Sequence, residues 1–111
     1  MAGKFAKSMT TEEAKARLGQ GGEHLQIVDV REIAEWEDGH IEGSISIPLG
    51  ELSRRHAELD GGRETLVVCR SGNRSGLACE LLESLGYDVI NLTGGLLQWR
   101  GNLVASTNRK S

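Results

Sequence analysis

The chain has 111 residues, enough for one compact domain and little more. Its 13 basic and 16 acidic residues leave a net charge of −3, which argues against a general nucleic-acid or anionic-membrane binder, since both need a basic face. No apolar run approaches a membrane span, residues 1–10 lack an apolar segment, and there are only two cysteines. The expectation is therefore a cytoplasmic protein with reduced thiols, no signal peptide and no disulfide framework.

In chain order, Thr10 and Glu13 form a capping box, so a helix is predicted to about Leu18, ending in Gly19-Gln20-Gly21-Gly22. Leu25 to Val30 reads as a strand, and Asp29-Val30-Arg31-Glu32 as the turn at its end. Ser44 to Ile47 is a short strand stopped by Pro48. Leu49 to Leu59 reads as a helix closed by Asp60-Gly61-Gly62, and Thr65 to Cys69 as an apolar, β-branched strand. Arg74 to Leu85 is a predicted helix with a stripe of Leu77, Ala78, Leu81, Leu82 and Leu85, stopped by Gly86. Tyr87 to Leu92 is a last strand, and Gly94-Gly95 opens a final helix through Trp99. Strands and helices alternate, which favours an α/β parallel sheet with helices on both faces. Sites in such sheets form beyond the carboxyl ends of the strands.

Cys69 lies at such an end, followed by Arg70-Ser71-Gly72-Asn73-Arg74-Ser75. A free thiol has a pKa of about 8.5 and is mostly protonated at neutral pH, while the nucleophile is the thiolate. Converging N–H groups of the loop, the start of a helix and the charges of Arg70 and Arg74 all favour the thiolate. Gly72 permits a tight turn, and Ser71, Asn73 and Ser75 add hydrogen-bonding side chains. A buried strand cysteine is the ordinary fate of this residue, but an inert one has no need of such a loop. Cys79 falls on the flank of its helix stripe, more than a turn from the loop, too far for a disulfide.

Two chemistries remain for a cysteine and a cationic loop. One is attack on phosphorus or arsenic, as in cysteine-dependent phosphatases and arsenate reductases. Those enzymes place five residues between cysteine and arginine, whereas here only four separate Cys69 from Arg74. The other is attack on a sulfane sulfur. The attacked sulfur of thiosulfate projects from its oxyanion, so the sulfonate stays at the loop's mouth. Sulfite then leaves without a general acid, which phosphoester cleavage usually wants.

Three blocks carry a family resemblance. The first is Asp29-Val30-Arg31-Glu32 through Glu35-Trp36, Gly39-His40-Ile41-Glu42-Gly43-Ser44 and Ile47-Pro48; the second is Cys69 to Ser75; the third is Gly86-Tyr87, Val89, Leu92, Gly94-Gly95 and Trp99. Together they resemble single-domain rhodaneses, the thiosulfate sulfurtransferases. The resemblance implies a rhodanese domain over 7–102 with flexible ends at 1–6 and 103–111. It implies a five-stranded, mostly parallel sheet with Lys7-Ser8-Met9 as its first strand. It also implies a ping-pong reaction through a Cys69 persulfide, with cyanide or a cellular thiol as acceptor and no metal or organic cofactor. An interaction module or persulfide carrier is the alternative role in such a family.

Among the remaining residues, Asp29 and Arg31 border the expected pocket, and a bracing ion pair is their expected role. Trp36 serves either the pocket entrance or packing. His40 reads as a structural hydrogen-bonder, and His24 and His56 show no ligand spacing, so no metal site is expected. Trp99 is expected in the core. Glu12-Glu13 and Arg54-Arg55 read as solvated helix faces.

Overall fold

Residues 7–20 and 25–105 are described by a computed structural model. Five strands form one sheet in the order β1-β5-β4-β2-β3, with β1 Lys7–Met9, β2 Gln26–Asp29, β3 Ile45–Ser46, β4 Thr65–Val68 and β5 Val89–Leu92. Every pair of neighbouring strands is parallel, and Thr65 to Val67 in β4 face Gln26 to Val28 on one side and Val89 to Asn91 on the other. β2, β4 and β5 are buried along their whole length, which explains their nearly unbroken apolar runs. Lys7–Met9 is the first strand that the resemblance implied and that propensity did not show. Lys7 is fastened by ion pairs to Glu64 and Asp88.

Alternation along the strands splits the core in two. Val28, Val67, Cys69 and Val89 face one side, where Leu52, Ala78, Cys79 and Leu82 cover them. Ile27, Leu66, Val68, Ile90 and Leu92 face the other, under Ala14 and Leu25. Each fully buried Val or Leu contributes about 1.5–3 kcal/mol, so these two layers are the main source of stability.

The helices are α1 Thr11–Gly19, α2 Ile33–Asp38, α3 Leu52–Arg55 and α4 Asn73–Ser84. The capping box of α1 forms as its sequence predicts: Thr10 Oγ1 accepts from Glu13 N–H at 3.1 Å, and Glu13 accepts from Thr10 N–H at 2.9 Å. Gly21-Gly22 of the glycine stop and His24 lie outside the described residues, as do 1–6 and, of the expected flexible end at 103–111, residues 106–111. At the C-terminal side, Val104 pairs with His40 through an antiparallel bridge.

Four elements differ from expectation. The segment Leu49–Leu59 is not one helix but α3 between two 3-10 turns, Leu49–Glu51 and His56–Glu58. Its geometry follows from sinking both Leu52 and Leu59 into the core while Arg55 ties Glu51 to Glu58 on the outside. The final helix is only a 3-10 turn, Gly95–Gln98, and the N–H groups of Leu96 and Leu97, which a helix start leaves without intrahelical partners, donate to Cys69 O and Arg70 O. Trp99 beyond it is half-buried against the core. α4 docks by Ser75, Gly76, Ala78, Cys79 and Leu82, while Leu77 and Leu85 are 58% and 45% exposed. Small residues let the helix approach the sheet closely, so they win over the larger leucines, and Cys79 lies in the middle of the docked face. Finally, α2 carries no buried residue and has no apolar stripe to reveal it. Its one signal is Glu32 followed by Glu35, whose carboxylate accepts from Glu32 N–H at 2.9 Å.

Candidate active site

β4 is the middle strand, and Cys69 follows its last residue. The chain then turns through Arg70, Ser71 and Gly72 into the first turn of α4. Gly72 takes a φ of 102°, a conformation that an L side chain rarely adopts. That turn aims Gly72 N–H at Cys69 Sγ, 3.0 Å away. Ser75 Oγ lies 3.4 Å from the same sulfur, and Ser75 is fully buried.

Burial pushes the Cys69 thiol up, but the hydrogen bond with the Ser75 hydroxyl and those from the backbone of Ser75, Gly72 and Ser71 outweigh it. The balance leaves the thiol below its ordinary value. Cys79 shows the opposite case, since burial, with Glu83 and Cys69 nearby, pushes its thiol up to about 12. The loop draws one thiol down, while burial holds the other up. The two are free, with no disulfide.

The two loop arginines differ. Arg70 is exposed. Arg74 is half-buried and bound through both terminal nitrogens to Glu35 of α2, at 2.8 and 3.2 Å. Arg74 holds the Glu35 carboxyl down to about 2, helped by Glu32 N–H and by the charges of Arg74 and Arg31. Ser71 and Asn73 are exposed on the outer side of the loop.

Asp29 and Arg31 form a buried bidentate pair, with Arg31 Nη2 on Asp29 Oδ2 at 2.8 Å and on Gly39 O at 2.6 Å. This clamps the end of β2 to the end of α2. Trp36 stacks on His40 at 3.7 Å and donates to Ser44 Oγ at 3.0 Å. His40 Nδ1 lies 2.6 Å from Trp36 O, which makes Nδ1 the protonated nitrogen, as expected of a structural histidine. His56 bonds Tyr87. Among the described residues, no group of three or more His, Cys, Asp or Glu converges on a possible metal position, and no helix is long and apolar enough to cross a membrane.

Three residues of this region escape a reading of the loop alone. Glu35 belongs to α2, which has no apolar periodicity. Asn91 of β5 accepts from Ser75 Oγ at 2.5 Å, and its signal was a polar residue in an otherwise apolar strand. Gly95 has a φ of 60°, and a Cβ there would lie 2.4 Å from Arg70 O and 2.6 Å from Cys69 O. It is glycine because the cysteine loop rests on it.

The model of the rhodanese-like domain matches residues 10–102. The chain belongs to the rhodanese-like family. Its relatives include the candidate sulfur carrier protein YrkF of Bacillus subtilis, 44% identical over 90 residues, which cover 80% of this chain and 49% of YrkF. The candidate sulfurtransferase YtwF of the same organism is 33% identical over 95 residues, covering 86% of this chain and 91% of YtwF. The chain thus spans about half of one relative and nearly all of the other. A solved rhodanese-like domain protein from Staphylococcus aureus is 34% identical with a TM-score of 0.82, covering 89% of this chain and 97% of that one. The rhodanese-like α/β fold expected from the three sequence blocks is thereby established.

Proposed function

We propose that this rhodanese-like protein is a sulfurtransferase that carries a sulfane sulfur on Cys69, with thiosulfate as donor. The observation that carries this reading is Cys69 Sγ at the end of the middle strand, 3.0 Å from Gly72 N–H and 3.4 Å from Ser75 Oγ. The Cys69 thiolate attacks the outer sulfur of thiosulfate. A sulfur–sulfur bond forms to Cys69, the bond to the sulfonate breaks, and its electron pair leaves with sulfite. The persulfide anion stays in the donors of the loop. Cyanide in the assay, or a cellular thiol, then takes the outer sulfur and restores the thiolate. Cys69 is buried, so access passes through the exposed side of the loop at Arg70, Ser71 and Asn73. A reducing, cytoplasmic setting suits a thiolate that must stay free.

Attack on phosphorus fits poorly. Arg74 comes one residue too soon for a phosphate cradle, and its guanidinium is already occupied by Glu35. A persulfide carrier without turnover is the second reading, favoured by the likeness to YrkF. Thiocyanate formation from thiosulfate and cyanide tests the leading reading. The wild type should turn over and Cys69→Ala should not; equal rates would sink it. A stable gain of sulfur with negligible turnover would favour the carrier.

A further inference from the structure

β5 reads Val-Ile-Asn-Leu, and three of its four side chains are apolar and no more than 1% exposed. The fourth, Asn91, is 8% exposed. Leaving a buried amide without a partner costs about 1–3 kcal/mol, so a strand core tolerates it only where it is bonded. By strand alternation Asn91 shares the face of Val89, the side that α4 covers. There it meets Ser75 Oγ at 2.5 Å, and Ser75 meets Cys69 Sγ at 3.4 Å. The three side chains form a chain from β5 through α4 to the end of β4.

Proton counting shows what Asn91 adds. A serine hydroxyl has one proton to donate and lone pairs to accept. When Cys69 is a thiol, S–H donates to Ser75 Oγ and Ser75 donates to Asn91 Oδ1, the arrangement seen here. When Cys69 is a thiolate or persulfide anion, it has nothing to donate. The Ser75 proton must then turn to the sulfur, and Ser75 Oγ needs a new donor. Asparagine supplies one when its amide turns over and presents Nδ2–H. Aspartate or an aliphatic residue supplies none. Asn91 also lines a shallow cleft of about 230 Å³ together with Gly72, Asn73, Gly76, Leu77 and Glu80, so it borders open space.

We propose that Asn91 is a positioning residue for Cys69: acting through Ser75, its amide lets the serine hydroxyl switch from accepting the thiol proton to donating to the sulfur anion. This rests on Cys69 being the sulfur-bearing nucleophile. No bond other than hydrogen bonds is made or broken, and the thiol proton leaves to solvent.

The test is the titration of Cys69 followed by thiolate ultraviolet absorbance, taken as the difference from Cys69→Ala. Asn91→Val should raise the midpoint by half a unit to one unit, which lowers the thiolate fraction at neutral pH about threefold to tenfold. The same substitution in a Ser75→Ala background should add nothing, because the relay is already cut. Asn91→Ala, uncharged and also lacking the N–H, should raise the midpoint as well, and it serves if the valine variant does not fold. An unmoved midpoint, or a shift that persists without the Ser75 hydroxyl, overturns the proposal. Absence of sulfur transfer in the wild type would instead overturn the proposed function, and the titration would still be readable.

Discussion

Glu35 holds Arg74 by both terminal nitrogens, at 2.8 and 3.2 Å, and so couples α2 to the first turn of α4 beside the cysteine loop. The pair is close to neutral as a unit. Arg74 therefore shapes the loop, and among the described residues Arg70 is the loop's exposed positive charge outside the ion pairs.

This division predicts different phenotypes for the two arginines. Arg70→Ala should raise KM for thiosulfate about twofold to fivefold, the worth of one screened surface charge, and flatten its dependence on salt. Arg74→Ala leaves Glu35 unpaired, so it should lower stability by about 0.5–1 kcal/mol and reduce kcat. Steady-state kinetics at two ionic strengths, with urea unfolding of both variants, separates them. A larger KM effect for Arg74→Ala than for Arg70→Ala would contradict the assignment.

The same pair sets an acid limit. The Glu35 carboxyl is lowered to about 2 in the folded protein, from an ordinary value of 4.5. A group lowered by folding stabilises above its unfolded value and loses that contribution as pH falls toward its folded value. Stability should therefore decline between about pH 5 and 2, and Glu35→Gln should show a shallower decline from a lower starting point. Urea midpoints measured across this range check the slope.

Gly95 offers a sharp structural prediction. Any Cβ there meets the Arg70 carbonyl at 2.4 Å, against backbone that cannot swing aside, and its φ of 60° adds strain. Gly95→Ala should cost about 2–3 kcal/mol and impair Cys69 reactivity, because the displaced carbonyls belong to the loop itself. An unchanged unfolding midpoint with full activity would show that the loop does not rest on this glycine.

Much of this architecture is legible in the chain. The capping box of Thr10 and Glu13, the apolar runs of β2, β4 and β5, and the cysteine loop each announce themselves through local chemistry. What stays hidden depends on tertiary contact. α2 buries no side chain, so it leaves no periodic stripe, and Glu35 is hidden with it. On α4 the expected stripe holds at Ala78 and Leu82 and fails at Leu77 and Leu85, while Ser75, Gly76 and Cys79 join the docked face, because close approach to the sheet needs small residues. The 3-10 turn at Gly95–Gln98 is docked on acceptors twenty-odd residues away, the carbonyls of Cys69 and Arg70. Periodicity cannot report such a partner.

Cys79 supplies a control for the chemistry. It is fully buried and its thiol is pushed up to about 12. Cys79→Ala should keep sulfur transfer within about twofold and cost about 1 kcal/mol from the small cavity it leaves. Loss of activity in this variant would give Cys79 a role in resolving the persulfide.

The central claim is that Cys69, and not merely the fold, carries the sulfur. Its most direct test is the intact mass of the protein after incubation with thiosulfate and removal of excess donor, with peptide mapping of the modified site. The account predicts a gain of one sulfur confined to Cys69, lost on adding cyanide and absent in Cys69→Ala. No gain in the wild type, or an equal gain in Cys69→Ala, would contradict it.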